Sequence, residues 1–258
     1  MSRSSFSSTG RPKLGYQGTL LPGAKPTFVH TVIVGGPHSG VGKTLACERA
    51  LQTLRGFRFG AIKLTVADGE FEAGHDHGAA ALRAADAAGI CGRGASCGVC
   101  ETVSSSVPSR IVTSDGAIHK EGTDTWRLFE AGAVAVAWVI TLRGAAPEAV
   151  DQATRHLADR GAENVLIEGT TALEWIRPAI SVMIATDPGR KWKQVALDHI
   201  ASCEIVLRNV LPAPCGDIPA PPALAGADPI DCDLSRLDDA GTREYRRRLA
   251  QLAAALSV

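Results

Sequence analysis

Lys43 and Thr44 stand directly behind a run of small residues, Gly35-Gly36-Pro37-His38-Ser39-Gly40-Val41-Gly42. Three β-branched residues, Val32-Ile33-Val34, lead into the run, and a helical pattern follows it. A strand feeding a glycine-rich turn that opens a helix suits the binding of a polyphosphate. Unblocked backbone N–H groups and the positive end of the helix dipole face the anion, and one cation completes the neutralisation. Ser39, Gly40, Val41 and Gly42 would supply the N–H groups, Lys43 would reach the β/γ-phosphates, and the Thr44 hydroxyl would ligate Mg²⁺. The strict spacing G-x-x-x-x-G-K-[ST] would place its first glycine at Pro37. Here Gly36 precedes that position by one residue, giving G-x5-G-K-T.

A magnesium ion needs further hard oxygen ligands. In an open parallel sheet, ligands gather at the C-terminal ends of the strands, so those ends are searched first. One apolar run ends at Lys63, and another, Asn164-Val165-Leu166-Ile167, ends at Glu168-Gly169. Glu168 would then lie beside the loop as a Mg²⁺ ligand, direct or through water. Asp124, opening a helix, is the second such carboxylate. The plainer roles are a turn residue for Glu168 and a helix cap for Asp124.

A second group of chemistry-bearing residues lies between these positions. His75-x-His77 is followed by Cys91-x5-Cys97-x2-Cys100. A Cys-x2-Cys pair brings two thiolates to one metal, with Cys91 a third; another cysteine or one of His75, His77 and His119 would close a zinc site. Three cysteines also suit an iron–sulfur cluster, although the spacing matches no common ferredoxin pattern. A dithiol redox pair and ordinary buried thiols are the other readings.

The elements that must position these groups alternate. Strands are expected at residues 30–35, 57–64, 133–142, 164–168, 180–185 and 205–208, and helices at 44–54, 125–131, 147–160, 191–202 and 242–256. Gly56 and Gly161 are placed to end two of the helices. Apolar strands alternating with helices predict an α/β fold, a doubly wound and mostly parallel sheet. Residues 65–120 read as a Cys/His-rich insertion, with a helix near 79–88 and a short hairpin over 111–117. Residues 1–26 read as a mobile leader, 27–211 as the main domain, and 212–258 as a proline-rich connector with a C-terminal helix.

Composition narrows the partners. The chain has 258 residues with 27 Lys+Arg against 27 Asp+Glu, so net charge favours neither nucleic acid nor an anionic membrane. No apolar run approaches the roughly 20 residues of a membrane span. Seven cysteines, an odd number in a chain too large to need disulfide staples, fit a reducing cytoplasm.

Gly36-x5-Gly42-Lys43-Thr44, Lys63, Asp124 and Ile167-Glu168-Gly169, in that order, resemble dethiobiotin synthetase, a phosphate-loop NTPase of a dimer-forming class. The chain is still more similar to the adaptor protein of molybdopterin-guanine dinucleotide biosynthesis. There, a Lys-His segment, then Gly-Lys-Asp-Ser and a helix ending Ala-Gly-Ala correspond to Lys63 and to Gly122-Thr123-Asp124-Thr125 through Ala131-Gly132-Ala133. The likeness spans residues 32–210, apart from the insertion. It departs at Lys63-Leu64-Thr65-Val66-Ala67, where the adaptor's histidines are missing, and at His38, where the wider class often carries a second lysine. No Asn-Lys-x-Asp guanine motif is present, and Asn209 falls where related proteins place a base-reading asparagine able to pair with either purine.

The resemblance implies a homodimer binding ATP or GTP with Mg²⁺, a slow NTPase that serves assembly or delivery of a metal-containing cofactor to a client enzyme. Lys43, Lys63, Asp124 and Glu168 would carry its chemistry. Two other functions fit the same residues: a dethiobiotin-synthetase-like ligase or small-molecule kinase, and an adaptor that binds nucleotide without hydrolysing it.

Overall fold

A computed structural model describes residues 30–67, 102–185, 192–210, 224 and 226–256. Among the described residues, eight strands form one sheet: β1 (Thr31–Gly35), β2 (Phe59–Ala67), β3 (Ser109–Val112), β4 (Val136–Leu142), β5 (Asn164–Glu168), β6 (Ile180–Ala185), β7 (Ile205–Asn209) and β8 (Ile230–Cys232). Their spatial order is β3-β4-β2-β5-β1-β6-β7-β8. Every neighbouring pair is parallel except β3 and β4. The helices are α1 (Lys43–Thr53), α2 (Asp115–Ile118), α3 (Asp124–Glu130), α4 (Ala146–Asp159), α5 (Gln194–His199) and α6 (Ala240–Ala255). None of the helices among the described residues is long and apolar enough to cross a membrane.

Side chains alternate across a strand, so a central strand must be apolar on both faces. Val32 and Val34 of β1 enter one core with Ala46, Ala50 and Leu51 of α1, Leu128 of α3 and Tyr245 and Leu249 of α6. Ile33 enters the opposite core with Ala149, Val150 and Leu157 of α4 and Ala196 of α5. Helices thus cover both faces, and the mostly parallel α/β architecture expected from the alternation is present.

Several local expectations change. Leu54, rather than Gly56, caps α1, and Gly56 lies within a 3-10 turn, Arg55–Phe57. Gly161 does close α4, with φ 86° and its N–H on the Ala158 carbonyl. The hairpin expected over 111–117 is absent. Residues 109–112 pair antiparallel with β4, and the turn-like Asp115-Gly116-Ala117 belongs to α2. Part of the span read as an insertion therefore belongs to the sheet. The helix expected near 79–88 lies outside the described residues. The strand at 205–209 is not the last one, because β8 adds beside it. The tail read as a connector with a helix supplies both β8 and α6. Tyr245 of α6 is fully buried and donates its hydroxyl to the Ala46 carbonyl of α1 at 3.1 Å.

Candidate functional site

β1 sits in the middle of the sheet, with β5 on one side and β6 on the other. The chain leaves its C-terminal end at Gly35, turns, and enters α1 at Lys43. Two glycines make the turn: Gly40 at φ 82° and Gly42 at φ 100° lie where L side chains are strained. Gly42 is also the N-cap of α1. The start of the turn is held from β5's side, where the Thr170 hydroxyl accepts the Gly36 N–H at 2.8 Å and donates to the Gly36 carbonyl at 2.7 Å. Lys43 Nζ donates across the turn to the His38 carbonyl at 2.6 Å, and the Lys193 N–H reaches the Pro37 carbonyl at 3.2 Å. Ser39 is half-buried, Gly40 exposed and Val41 buried, so the crest of the turn is open at its glycine.

Strand parity brings the acidic residues to this turn. Ala61 and Leu166 share the α1 core, and two residues further on, Lys63 and Glu168 emerge on the same face, paired in register across β2 and β5. Thr44, in the first turn of α1, lies over them. Its hydroxyl is 3.2 and 3.1 Å from the two Glu168 carboxylate oxygens. Lys63 Nζ donates to Glu168 Oε1 at 3.2 Å and to Asp124 Oδ2 in a second, shorter ion pair. Asp124 is free to do this because the Thr123 hydroxyl, not Asp124, caps α3 by accepting the Trp126 N–H at 3.3 Å.

The charges of this cluster fix one another. Burial alone would push Lys63 down, but the Glu168 and Asp124 carboxylates outweigh it and hold the ammonium above its ordinary range. Burial would raise Asp124; Lys63, aided by Arg127 and the Thr44 hydroxyl, instead holds it below the usual carboxylate range. Cys47, one turn further along α1, is fully buried, and burial with the Glu168 charge pushes its thiol well up. It is an inert core thiol.

No family model, curated protein or solved structure matches the chain.

Two carboxylates and a hydroxyl converge where a cation, the Lys63 ammonium, already sits. This donor set of hard oxygens around one positive charge fits a magnesium ion. Among the described residues, no three of His, Cys, Asp and Glu gather as a metal cluster. Cys91, Cys97, Cys100, His75 and His77 lie outside the described residues, while His119 stacks against Phe129 with ring centroids 4.3 Å apart.

Asn209, the residue expected to read the base, lies at the C-terminal end of β7. It is 3% exposed, and both ends of its amide are engaged within the chain. Nδ2 donates to the Val41 carbonyl at 3.0 Å, and Oδ1 accepts the Leu234 N–H at 3.1 Å. Asn209 ties the turn to the segment following β8. A Cβ at Gly42 would lie 2.6 Å from Asn209 Nδ2, so the glycine also admits this brace. Arg49 adds a second tie by donating from Nε and Nη2 to the Leu234 carbonyl at 3.2 and 3.0 Å. Sequence reasoning did not single out Thr170, Leu234 or Arg49. Thr170 had one available signal, its position directly after Glu168-Gly169.

Proposed function

We propose that the chain is a Mg²⁺-dependent nucleotide-binding protein of the phosphate-loop class that turns over ATP or GTP slowly. The observation that supports this most is Thr44, from the first turn of α1, lying 3.1 and 3.2 Å from the oxygens of Glu168 at the end of a neighbouring parallel strand. Beside them the chain makes a turn on two left-handed glycines. A lysine and a threonine at the head of an eleven-residue helix, with an acid on the next strand, form the minimal equipment for a metal–triphosphate.

The residues divide the work. The N–H groups around Ser39, Gly40 and Gly42, with the N-terminus of α1, take phosphate oxygens. Lys43, whose ammonium now rests on the turn's own carbonyl, turns it to the phosphates when they arrive. Thr44, Glu168 and Asp124 would hold Mg²⁺, which when bound neutralises and orients the phosphate oxygens. As metal ligands, neither carboxylate would be set to take a proton from water, which supports slow turnover. Asn209, whose amide makes one hydrogen bond to Val41 and one to Leu234, is read as a brace of the turn rather than a base contact. A role in supplying a metal-containing cofactor draws its support from the order of the motifs in the sequence.

The test is equilibrium binding of fluorescent ATP and GTP to the parent chain and to Lys43→Ala, with thermal unfolding of both. Binding should be lost in the variant while the unfolding transition persists. Unchanged affinity in a folded Lys43→Ala protein would refute the assignment.

A further inference from the structure

Lys63 has more to do than balance charge. Glu168 is 5% exposed, and a buried carboxylate without a cation is strongly unfavourable. A cation beside it relieves that cost when no metal is present. The Lys63 side chain, 13% exposed, fills that role, contacting Glu168 on one side and the 41%-exposed Asp124 on the other. The same two carboxylates and the Thr44 hydroxyl are the groups that would hold the divalent ion.

We propose that Lys63 is a resident counter-cation that a divalent ion has to displace, so that the site takes metal efficiently only together with nucleotide. The inference rests on the reading of Thr44, Glu168 and Asp124 as the metal-binding set. An ammonium and a divalent ion within one pair of carboxylates repel each other, and each removes the other's electrostatic support. A free divalent ion must therefore break the two Lys63 ion pairs before it gains its own ligands. A metal–triphosphate carries negative charge into the same site, so its entry leaves the displaced ammonium with an anion nearby. The lysine thereby sets a threshold against unaccompanied metal, and its long flexible stem lets the charge move while β2 stays in place.

The experiment is a Mn²⁺ titration of the full chain followed by electron paramagnetic resonance, with and without a non-hydrolysable ATP or GTP analogue. Lys63→Met keeps much of the stem and removes the charge. Without nucleotide, it should bind Mn²⁺ at least about tenfold more tightly than the parent, since two carboxylates are left without a cation. Lys63→Arg, which keeps the charge, should stay as weak as the parent. Equal or weaker Mn²⁺ binding by Lys63→Met, measured on protein with a native-like unfolding transition, overturns the proposal.

Amine labelling of the parent gives a readout that does not depend on a variant folding. Lys63 should be protected in the free protein and become reactive when Mn²⁺ and analogue are added together. Protection that does not change when both are bound also overturns the proposal. Failure of the underlying reading looks different: tight Mn²⁺ binding by Lys63→Met that survives a further Glu168→Gln change would mean that the metal sits elsewhere.

Discussion

Replacing Asn209 by alanine should separate a structural brace from a base-reading residue. The amide is buried, and its removal strands two backbone groups at once, the Val41 carbonyl and the Leu234 N–H. A buried backbone group that loses its partner costs about 1–3 kcal/mol. If a water enters the vacated space and partly serves both groups, the expected loss is about 2–4 kcal/mol. In a chain of 258 residues this corresponds to a fall in melting temperature of about 5–12 °C. The assay is thermal unfolding by circular dichroism, beside nucleotide affinity measured well below the transition. Asn209→Asp sharpens the result. Its carboxylate still accepts from Leu234 but cannot donate to Val41, and burial raises its pKa. The destabilisation should therefore be full above that raised value and shrink as pH falls through it, because the protonated acid can again donate to Val41. A loss below about 1 kcal/mol for Asn209→Ala, with an altered preference between ATP and GTP, would refute the brace and restore Asn209 to the base.

Thr170→Val keeps the shape of the side chain but deprives both Gly36 backbone groups of their partner; it should cost about 2–4 kcal/mol and weaken nucleotide binding. Thr170→Ser should preserve both properties in the same unfolding and binding assays, and a valine variant as stable as the parent would count against the clamp. The Lys63–Asp124 pair predicts a defined pH response. Asp124 is held below its ordinary 3.8, so its contribution is present above that value and is lost as pH falls through the lower folded one. Lys63 is held above its ordinary 10.5, so its contribution is present below that value and is lost as pH rises through the higher one. The pair's contribution to the melting temperature should thus be constant near neutrality, and Asp124→Asn should reduce the acid-side loss. An acid limb identical in that variant would remove the pair as its source.

Much of the site is legible in sequence because it rests on local rules. Val32-Ile33-Val34, apolar on both faces, has to be a central strand, and the glycines after it have to turn. Two-residue periodicity puts Lys63 and Glu168 on the α1 side once their strands are recognised. The parts that escape depend on distant partners. β8 has three residues, Ile230-Asp231-Cys232, too few to display a period, and acquires its identity only by pairing with β7. Ser114-Asp115-Gly116 has turn chemistry, yet the strand before it pairs with β4 rather than folding back locally. The amide of Asn209 suits a purine edge as well as backbone groups, and only the fold reveals its bonds to Val41 and Leu234. Thr123 and Asp124 are both acceptable caps; the structure gives the cap to the threonine, which leaves the aspartate to Lys63.

The tie between the turn and the segment after β8 also bears on the order in which the chain is made. Synthesis and emergence run from the N-terminus, and Arg49 meets its carbonyl acceptor 185 residues later in the chain. The turn at residues 36–42 therefore leaves the ribosome long before Leu234, which must arrive to hold Asn209 in place. Until then, β1 and α1 are present but their turn lacks its brace, and the loop-closure entropy of a long intervening chain delays the final fit. The turn between β1 and α1 is thus among the last parts of the molecule expected to become rigid, although its residues are made long before Leu234.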